Sequence, residues 1–367
     1  MTYRFTPIVE KLPSAVPFVG PEAQERQRGA EFRARIGANE SVFGASAKAV
    51  HAMQREAVHA WKYGDPENHD LKEALAAHHG VAPRNIVVGE GIDGLFGYTA
   101  RLFIAPGVPV ATSLGAYPTF NYQVATCGGR LVTVPYRDDR EDPEALLALT
   151  REHDTALVYL SNPDNPMGSW WDAATVQRMI ENVPDTALLC LDEAYCDFAP
   201  AGTLPEIDVE DTRVLRFRTF SKAHGLAGCR IGYAIGEAQL IQSFDKLRNH
   251  FGVNRIAQAG ALAALTDRGH LREVVHKVTR ARARIGAIAQ DNQLQALPSA
   301  ANFVAIDCGR EGDYAGRVLT ELNTRGVFVR MPGVAPLNRC IRVSAGTDDD
   351  LQVFANALPA ALHAAAS

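Results

Sequence analysis

This chain of 367 residues has no basic excess, no long apolar run and no paired-cysteine motif, and each absence removes a class of function. Lys and Arg number 37 against 42 Asp and Glu, for a formal charge of -5. No basic field is therefore available to hold a polyanion, and no cluster of Lys and Arg is interleaved with aromatics. Nucleic acid is not an expected partner. No apolar run approaches the roughly 20 residues of a membrane span. The opening MTYRFTPIVEKLPSAVPFVG has no charged segment followed by a long apolar one, so a cytoplasmic protein without a membrane partner is expected. The six cysteines (Cys127, Cys190, Cys196, Cys229, Cys308 and Cys340) are scattered without C-x-x-C spacing, which reads as reduced, buried thiols and no metal site. No fixed-period repeat is visible, and the absence of any G-K-[ST] excludes a P-loop.

What is present reads as a soluble α/β protein. The hydrophobic fraction of 47% and charged fraction of 22% are those of a folded globular chain, and the length suits about two domains. From about residue 68, short apolar β-rich runs alternate with helical stretches. RNIVVG, VPVATS, GRLVTVP, TALVYLS, TALLCLDEA, TRVLRFRTF and GCRIGYAIG are predicted strands. Strand and helix in series predict a mostly parallel sheet covered on both faces. After NHFGVN the texture becomes Ala-rich and helical, then NFVAIDC, GVFVRM and CIRVSAG read as three short strands of a smaller α+β unit. The expected organisation is an N-terminal arm (1–40) packing with the small domain, a large domain (41–255) and a small C-terminal domain (256–367).

IVVGEGIDGLFG carries G-x-G-x-x-G at Gly89, Gly91 and Gly94, after a strand and opening a helix. A dinucleotide site needs an acid at the end of the next strand to hold a ribose hydroxyl, and PGVPVATSLGAYPTF has none. The helix start remains suited to a phosphate monoester, through free backbone N–H groups and the helix dipole.

Four further stretches stand in order along the chain. YLSNPDNPMG (159–168) turns sharply after a strand. LLCLDEAYCDF (188–198) puts Asp192 and Glu193 at the end of a buried strand, where parallel sheets bind ligands. GAYPTFNYQ (115–123) places aromatics in a turn. TFSKAHGLAGCRIGY (219–233) follows Lys222 with small residues and then Arg230. With ANESVFG, WKYGDPENHDLKEAL and RVSAGTDDD, these resemble the aspartate-aminotransferase fold (fold type I) of pyridoxal-phosphate enzymes. Nearly end to end, the chain is most similar to histidinol-phosphate aminotransferases.

The resemblance implies an α/β large domain with a mostly parallel seven-stranded sheet, plus a smaller α+β domain. It implies pyridoxal 5'-phosphate as cofactor. Lys222 would carry the aldehyde as a Schiff base and shuttle a proton at the substrate's Cα, and Asp192 would keep the ring nitrogen protonated. Asn162 and Tyr195 would donate to the ring oxygen, Phe120 would stack on the ring, and Gly91, Ile92, Asp93, Thr219, Ser221 and Arg230 would hold the phosphate. Tyr63 would reach the partner's cofactor in an obligate homodimer with shared active sites. Arg342 would grip the anionic end of the substrate, with Arg330 as a second contact, and Asn39 and Glu40 would close over the site. An amino donor, histidinol phosphate or an aromatic amino acid, would react with 2-oxoglutarate by ping-pong turnover.

The chain departs from the family pattern at Asp164 and Met167 of NPDNPMG, at Ile92 and Gly94 of the helix start, and at Phe18, where the family often has a tyrosine that touches substrate phosphate. Three other readings stand beside transamination: a phosphothreonine-type decarboxylase on the same fold, a non-catalytic cofactor-binding regulator, and an NAD-dependent dehydrogenase. The regulator would usually carry a DNA-binding domain, and no basic helix-turn-helix segment precedes ANESVFG.

Overall fold

The computed structural model describes residues 3–14 and 19–367. β1 (Ala34–Arg35) belongs to the N-terminal arm. One seven-stranded sheet follows, made of β2 (Ile86–Gly89), β3 (Pro109–Ser113), β4 (Arg130–Val134), β5 (Leu157–Ser161), β6 (Leu188–Asp192), β7 (Val214–Thr219) and β8 (Gly232–Ile235). Its order is β2-β8-β7-β6-β5-β3-β4. β3 to β7 run parallel to one another, and only β8 is reversed, antiparallel to both β2 and β7. All seven are the segments predicted from the sequence.

The central strands explain themselves. LVYLS of β5 and LLCLD of β6 are buried at every position, as continuous apolar runs must be when helices cover both faces of a parallel sheet. The helices start where their caps say. Asp142 accepts from the amides of Glu144 and Ala145 to open Pro143–His153, and Asp172 accepts from Thr175 to open Ala173–Asn182. Such caps are each worth about 1 kcal/mol. The helix Gly91–Phe103 has no side-chain cap, so its first amides stay free.

The C-terminal part carries β9 (Gln295–Ala296), β10 (Phe303–Asp307) and β12 (Cys340–Ser344) in an antiparallel sheet of order β12-β10-β9. β11 (Val327–Phe328) does not join them. It pairs in parallel with β1 of the arm instead. GVFVRM is a strand as expected, and just beyond β11 Arg330 bridges Arg342 of β12; a further strand of the small sheet, the two-residue β9, is too short for any periodic signal. The arm is held tightly, since a Cβ at Gly37 would lie 2.9 Å from the Phe328 ring. Ala34 and Ile36 bury in the same core as Val274, Ile285, Phe303, Val343 and Phe354.

Beneath the carboxyl end of β5, two carboxyl groups are shut away from water. Glu141 accepts the Ser161 amide at 2.8 Å. Asp164 accepts the Tyr136 hydroxyl at 2.8 Å and the Met167 amide at 2.9 Å. Burial, and then the charge of Asp164, push Glu141 well above its ordinary 4.5. Burial moves Asp164 up to about 7. A carboxyl whose acidity is weakened by folding holds a proton that the unfolded chain releases. Its stabilising contribution is complete below about pH 4 and is lost as pH rises through the folded value. Glu141→Gln keeps the shape without the titration. Its melting temperature should therefore fall less between pH 5 and pH 8 than that of the wild type, as followed by scanning calorimetry; parallel curves would remove Glu141 from this role.

Candidate active site

The carboxyl ends of β5, β6 and β7, the start of Gly91–Phe103 and the arm converge on one cavity of about 770 Å³. Its wall includes Asn39, Glu40, Ile92, Asp93, Tyr117, Asn165, Asp192, Tyr195, Thr219, Ser221, Lys222, Arg230, Arg330 and Arg342. Most of the side chains singled out in the sequence are thus brought together from positions hundreds of residues apart.

Lys222 is half-buried, its Nζ donating to the Asn39 carbonyl at 3.3 Å and lying 5.6 Å from the Tyr195 ring centroid. Asp192 ends β6 and is 4% exposed. Its Oδ1 accepts the Ala194 amide at 2.9 Å and its Oδ2 the Tyr159 hydroxyl at 2.7 Å. Burial raises it to about 6, opposed by those two hydrogen bonds and by the Lys222 charge. Tyr195 accepts from Asn39 Nδ2 at 3.0 Å and from Asn165 Nδ2 at 3.4 Å.

The helix start forms an anion cradle. Gly91 has φ of 74°, and a Cβ there would lie 2.6 Å from an Arg230 guanidinium nitrogen, so only glycine lets Arg230 lie across the helix end. Arg230 itself is left-handed (φ 51°), which costs about 1 kcal/mol or more in a non-glycine residue. It reaches Ser221 Oγ at 3.4 Å and Asp93 at 3.3 Å. Thr219 Oγ1 accepts the Ser221 amide at 3.0 Å. The free amides, Ser221 and Arg230 suit a phosphate.

Above them, Arg342 on β12 donates to Asn165 Oδ1 at 2.5 Å. Its Nε is sealed from water without a partner, and it makes no ion pair to a carboxylate among the described residues. Arg330 pairs its backbone with Arg342 and donates to the Val19 carbonyl at 2.9 Å. A guanidinium without a counter-charge in a partly desolvated wall is placed for an anionic ligand.

The structure redraws two assignments, those of Asn162 and Phe120. Asn162 does not face the cavity: its Oδ1 accepts the Trp171 amide and its Nδ2 donates to the carbonyls of Trp171 and Thr203, which pins the turn. Asn165, three residues on, stands in the wall instead. Phe120 is fully buried, stacked on Tyr159 at 4.6 Å, because it sits in the first turn of Pro118–Thr126 and points into the sheet. Tyr117, just before that helix, lines the cleft and donates to Asp93 at 3.1 Å. Tyr63 is 77% exposed, packed on Phe251 at 4.7 Å, and is no part of its own chain's cavity. Phe18 lies outside the described residues.

Residues 35–358 match the family described as aminotransferase class I and II. The chain belongs to that family. It is 32% identical to a histidinol-phosphate aminotransferase of Moorella thermoacetica over 94% of this chain and 89% of the relative. It is 34% identical to histidinol-phosphate aminotransferase 2 of Carboxydothermus hydrogenoformans over 97% and 98%. Among solved structures, the histidinol-phosphate aminotransferase of Sinorhizobium meliloti, in complex with pyridoxal-5'-phosphate, superposes with a TM-score of 0.97 at 55% identity, covering 99% of each chain. The Thermus thermophilus aspartate aminotransferase shares the fold at TM-score 0.84 and 21% identity.

Sequence reasoning missed Asn165, Tyr117 and Tyr159. The first two stand in the same turns as the residues chosen, each three positions from its choice. Tyr159 reads as strand core, and only the pairing of β5 with β6 brings it beside the end of β6. Its hydroxyl stabilises the ionised form of Asp192, and a hydrogen bond to a charged group is worth about 1.5–3 kcal/mol. Tyr159→Phe should raise the Asp192 titration by about one unit or more, read from carboxyl carbon NMR shifts in the cofactor-free protein. An unmoved midpoint would show that the bond is idle.

Proposed function

We propose that this aminotransferase uses pyridoxal 5'-phosphate to move the amino group of histidinol phosphate to 2-oxoglutarate. The observation that carries the proposal is the convergence of one amine, one buried carboxylate and one uncapped helix start with its arginine in a single cleft, beneath a second arginine that lacks a counter-charge. The 55% identity to the Sinorhizobium meliloti enzyme supports the substrate.

Bound there, the cofactor would supply an aldehyde to carry the amino group and a ring to draw electrons from Cα. Lys222 is the amine that would hold the aldehyde at rest and, once displaced, move the proton at the substrate's Cα. Asp192 would hold the proton on the ring nitrogen; the price of its burial is recovered when a cation faces it. The amides at Ile92 and Asp93, with Ser221 and Arg230, would bind the cofactor phosphate, and Thr219 fixes the Ser221 amide beside them. Asn165 and Tyr195 are the donors left for the ring oxygen. Tyr117 is the aromatic beside the ring. Arg342, with Arg330, would orient the donor through its anionic group. The apolar side of the wall (Leu131, Met331 and Val334) would also accommodate an aromatic amino acid.

Donor profiling with 2-oxoglutarate tests the substrate: histidinol phosphate should be accepted, with an aromatic amino acid as competitor. Transfer from neither would overturn the assignment. Phe18→Tyr, which restores a hydroxyl, should shift the ratio of kcat/KM toward histidinol phosphate. The cofactor assignment has its own readouts. Borohydride should fix a phosphopyridoxyl group on Lys222, and Asp192→Asn should keep cofactor binding yet lose about a hundredfold or more in kcat.

A homodimer is part of the same reading. Trp61 and Tyr63 are more than three-quarters exposed and Phe251 half exposed, an aromatic patch of the kind that marks an interface. Covered by a second copy, it would deliver Tyr63 to the partner's cleft. No described helix is long and apolar enough to cross a membrane, and a cytoplasmic site of action suits the reading. Sedimentation should give a dimer, and Tyr63→Phe should weaken cofactor binding in it. A fully active monomer would end the idea of shared sites.

A further inference from the structure

Behind the lysine loop lies a second cavity of about 200 Å³. Thr219 is part of the wall of both cavities, so residues 219–224 form a partition: Ser221 and Lys222 face the cleft, and His224 faces the rear. The rear wall is basic although the chain as a whole is acidic. It contains Arg218, Arg268 and Arg272, with Asp197 as its one carboxylate. Arg218 shares a single partner, Glu193, with the buried Arg216 (2.8 and 3.2 Å). Four guanidiniums thus meet two carboxylates, leaving an excess of two positive charges. Arg268 touches only the His78 ring, at 3.3 Å, and Arg272 has no ion-pair or hydrogen-bond partner among the described residues.

A second observation points to a ligand. His224 is nine-tenths buried, packs on Phe220 at 5.0 Å and borders this cavity, yet its ring nitrogens have no hydrogen-bond partner among the described residues. A buried imidazole is ordinarily hydrogen-bonded. The local field acts in the same sense: burial lowers His78, and the charges of Arg268 and Arg218 lower it further. The cavity holds roughly six or seven water volumes, enough for a hydrated tetrahedral oxyanion and too small for a nucleotide.

We propose that this rear cavity binds a small dianion of the phosphate class, held by Arg218, Arg268 and Arg272, with His224 as an additional donor. The inference does not rest on the reaction performed in the cleft. It would place an anion on the far side of the loop that carries Lys222, so that occupancy reaches the cleft through Thr219.

Titration of the holoenzyme with inorganic phosphate, followed by calorimetry, tests it; bound cofactor keeps its own phosphate cradle closed to the probe. Arg268→Glu combined with Arg272→Glu reverses two exposed charges in the first and second turns of Arg268–Asp291, and an acid at the first position favours the helix dipole, so folding is not threatened. The double variant should bind phosphate at least tenfold more weakly while keeping its activity in phosphate-free buffer. Arg330→Ala, on the cleft side, should bind as the wild type does. Unchanged affinity in the double variant, loss of binding in Arg330→Ala, or no saturable binding in the millimolar range would each overturn the proposal.

Discussion

Asp192 is a carboxylate almost wholly removed from water, and a low-dielectric surrounding opposes its charge unless the protein or a ligand compensates. The protein does so halfway. One oxygen takes the Ala194 amide, the other the Tyr159 hydroxyl, and no cation among the described residues is hydrogen-bonded to it. Burial still wins, holding the group near 6, so a positively charged ring facing it would remove the strain that the fold leaves in place. The sheet exists in this form to make that possible. Asp192 must end a strand with neighbours on both sides, and β6 lies between β5 and β7. The neighbours then bring the remaining parts: β5 leads to Asn165, and β7 to Ser221 and Lys222.

Strand alternation divides the D-E-A-Y stretch between two jobs. Asp192 turns to the cleft, while Glu193, the next residue, turns away and ties Arg216 and Arg218 at 3.2 and 2.8 Å. That pairing anchors β7 just before the lysine loop. One carboxylate against two guanidiniums also leaves the rear of the loop positive, so the two faces of the partition carry related electrostatics from adjacent residues.

Much of the fold was legible because it rests on period and burial. Most strands of the large sheet are runs of β-branched or aliphatic residues bounded by turn formers, and such runs announce themselves. The small sheet was less so, since β9 has only two residues and β11 pairs with an arm some 290 positions earlier, a contact no local pattern encodes. In the site, residue types were easier than residue choice. N-P-D-N-P offers two asparagines and GAYPTF two aromatics, and composition cannot say which of each faces the cleft. The chain decides by direction: Asn162 leaves β5 toward the backbone of Trp171, and Phe120 enters a helix whose first turn faces the sheet. Tyr159 was invisible for another reason. A tyrosine inside an apolar strand reads as core, and only the register of β5 on β6 reveals its hydroxyl against Asp192.

Asp164 shows how a departure from the family pattern is absorbed. An asparagine there would leave the charge of Arg342 entirely to a ligand, whereas an ionised aspartate behind Arg342 would compete for it. Burial holds Asp164 near 7, and its hydrogen bonds come from the Tyr136 hydroxyl and the Met167 amide rather than from a guanidinium. Glu141 sits close enough that their charges repel, so both carboxyls cannot be ionised at little cost. Near neutral pH the pair retains a proton, and the competing negative charge behind Arg342 is thereby limited. The guanidinium stays available on its open side, with Asn165 as its neutral partner. The substitution is therefore compatible with an anion grip at Arg342, and the cost of keeping that grip appears as a buried acid pair that destabilises the fold as pH rises.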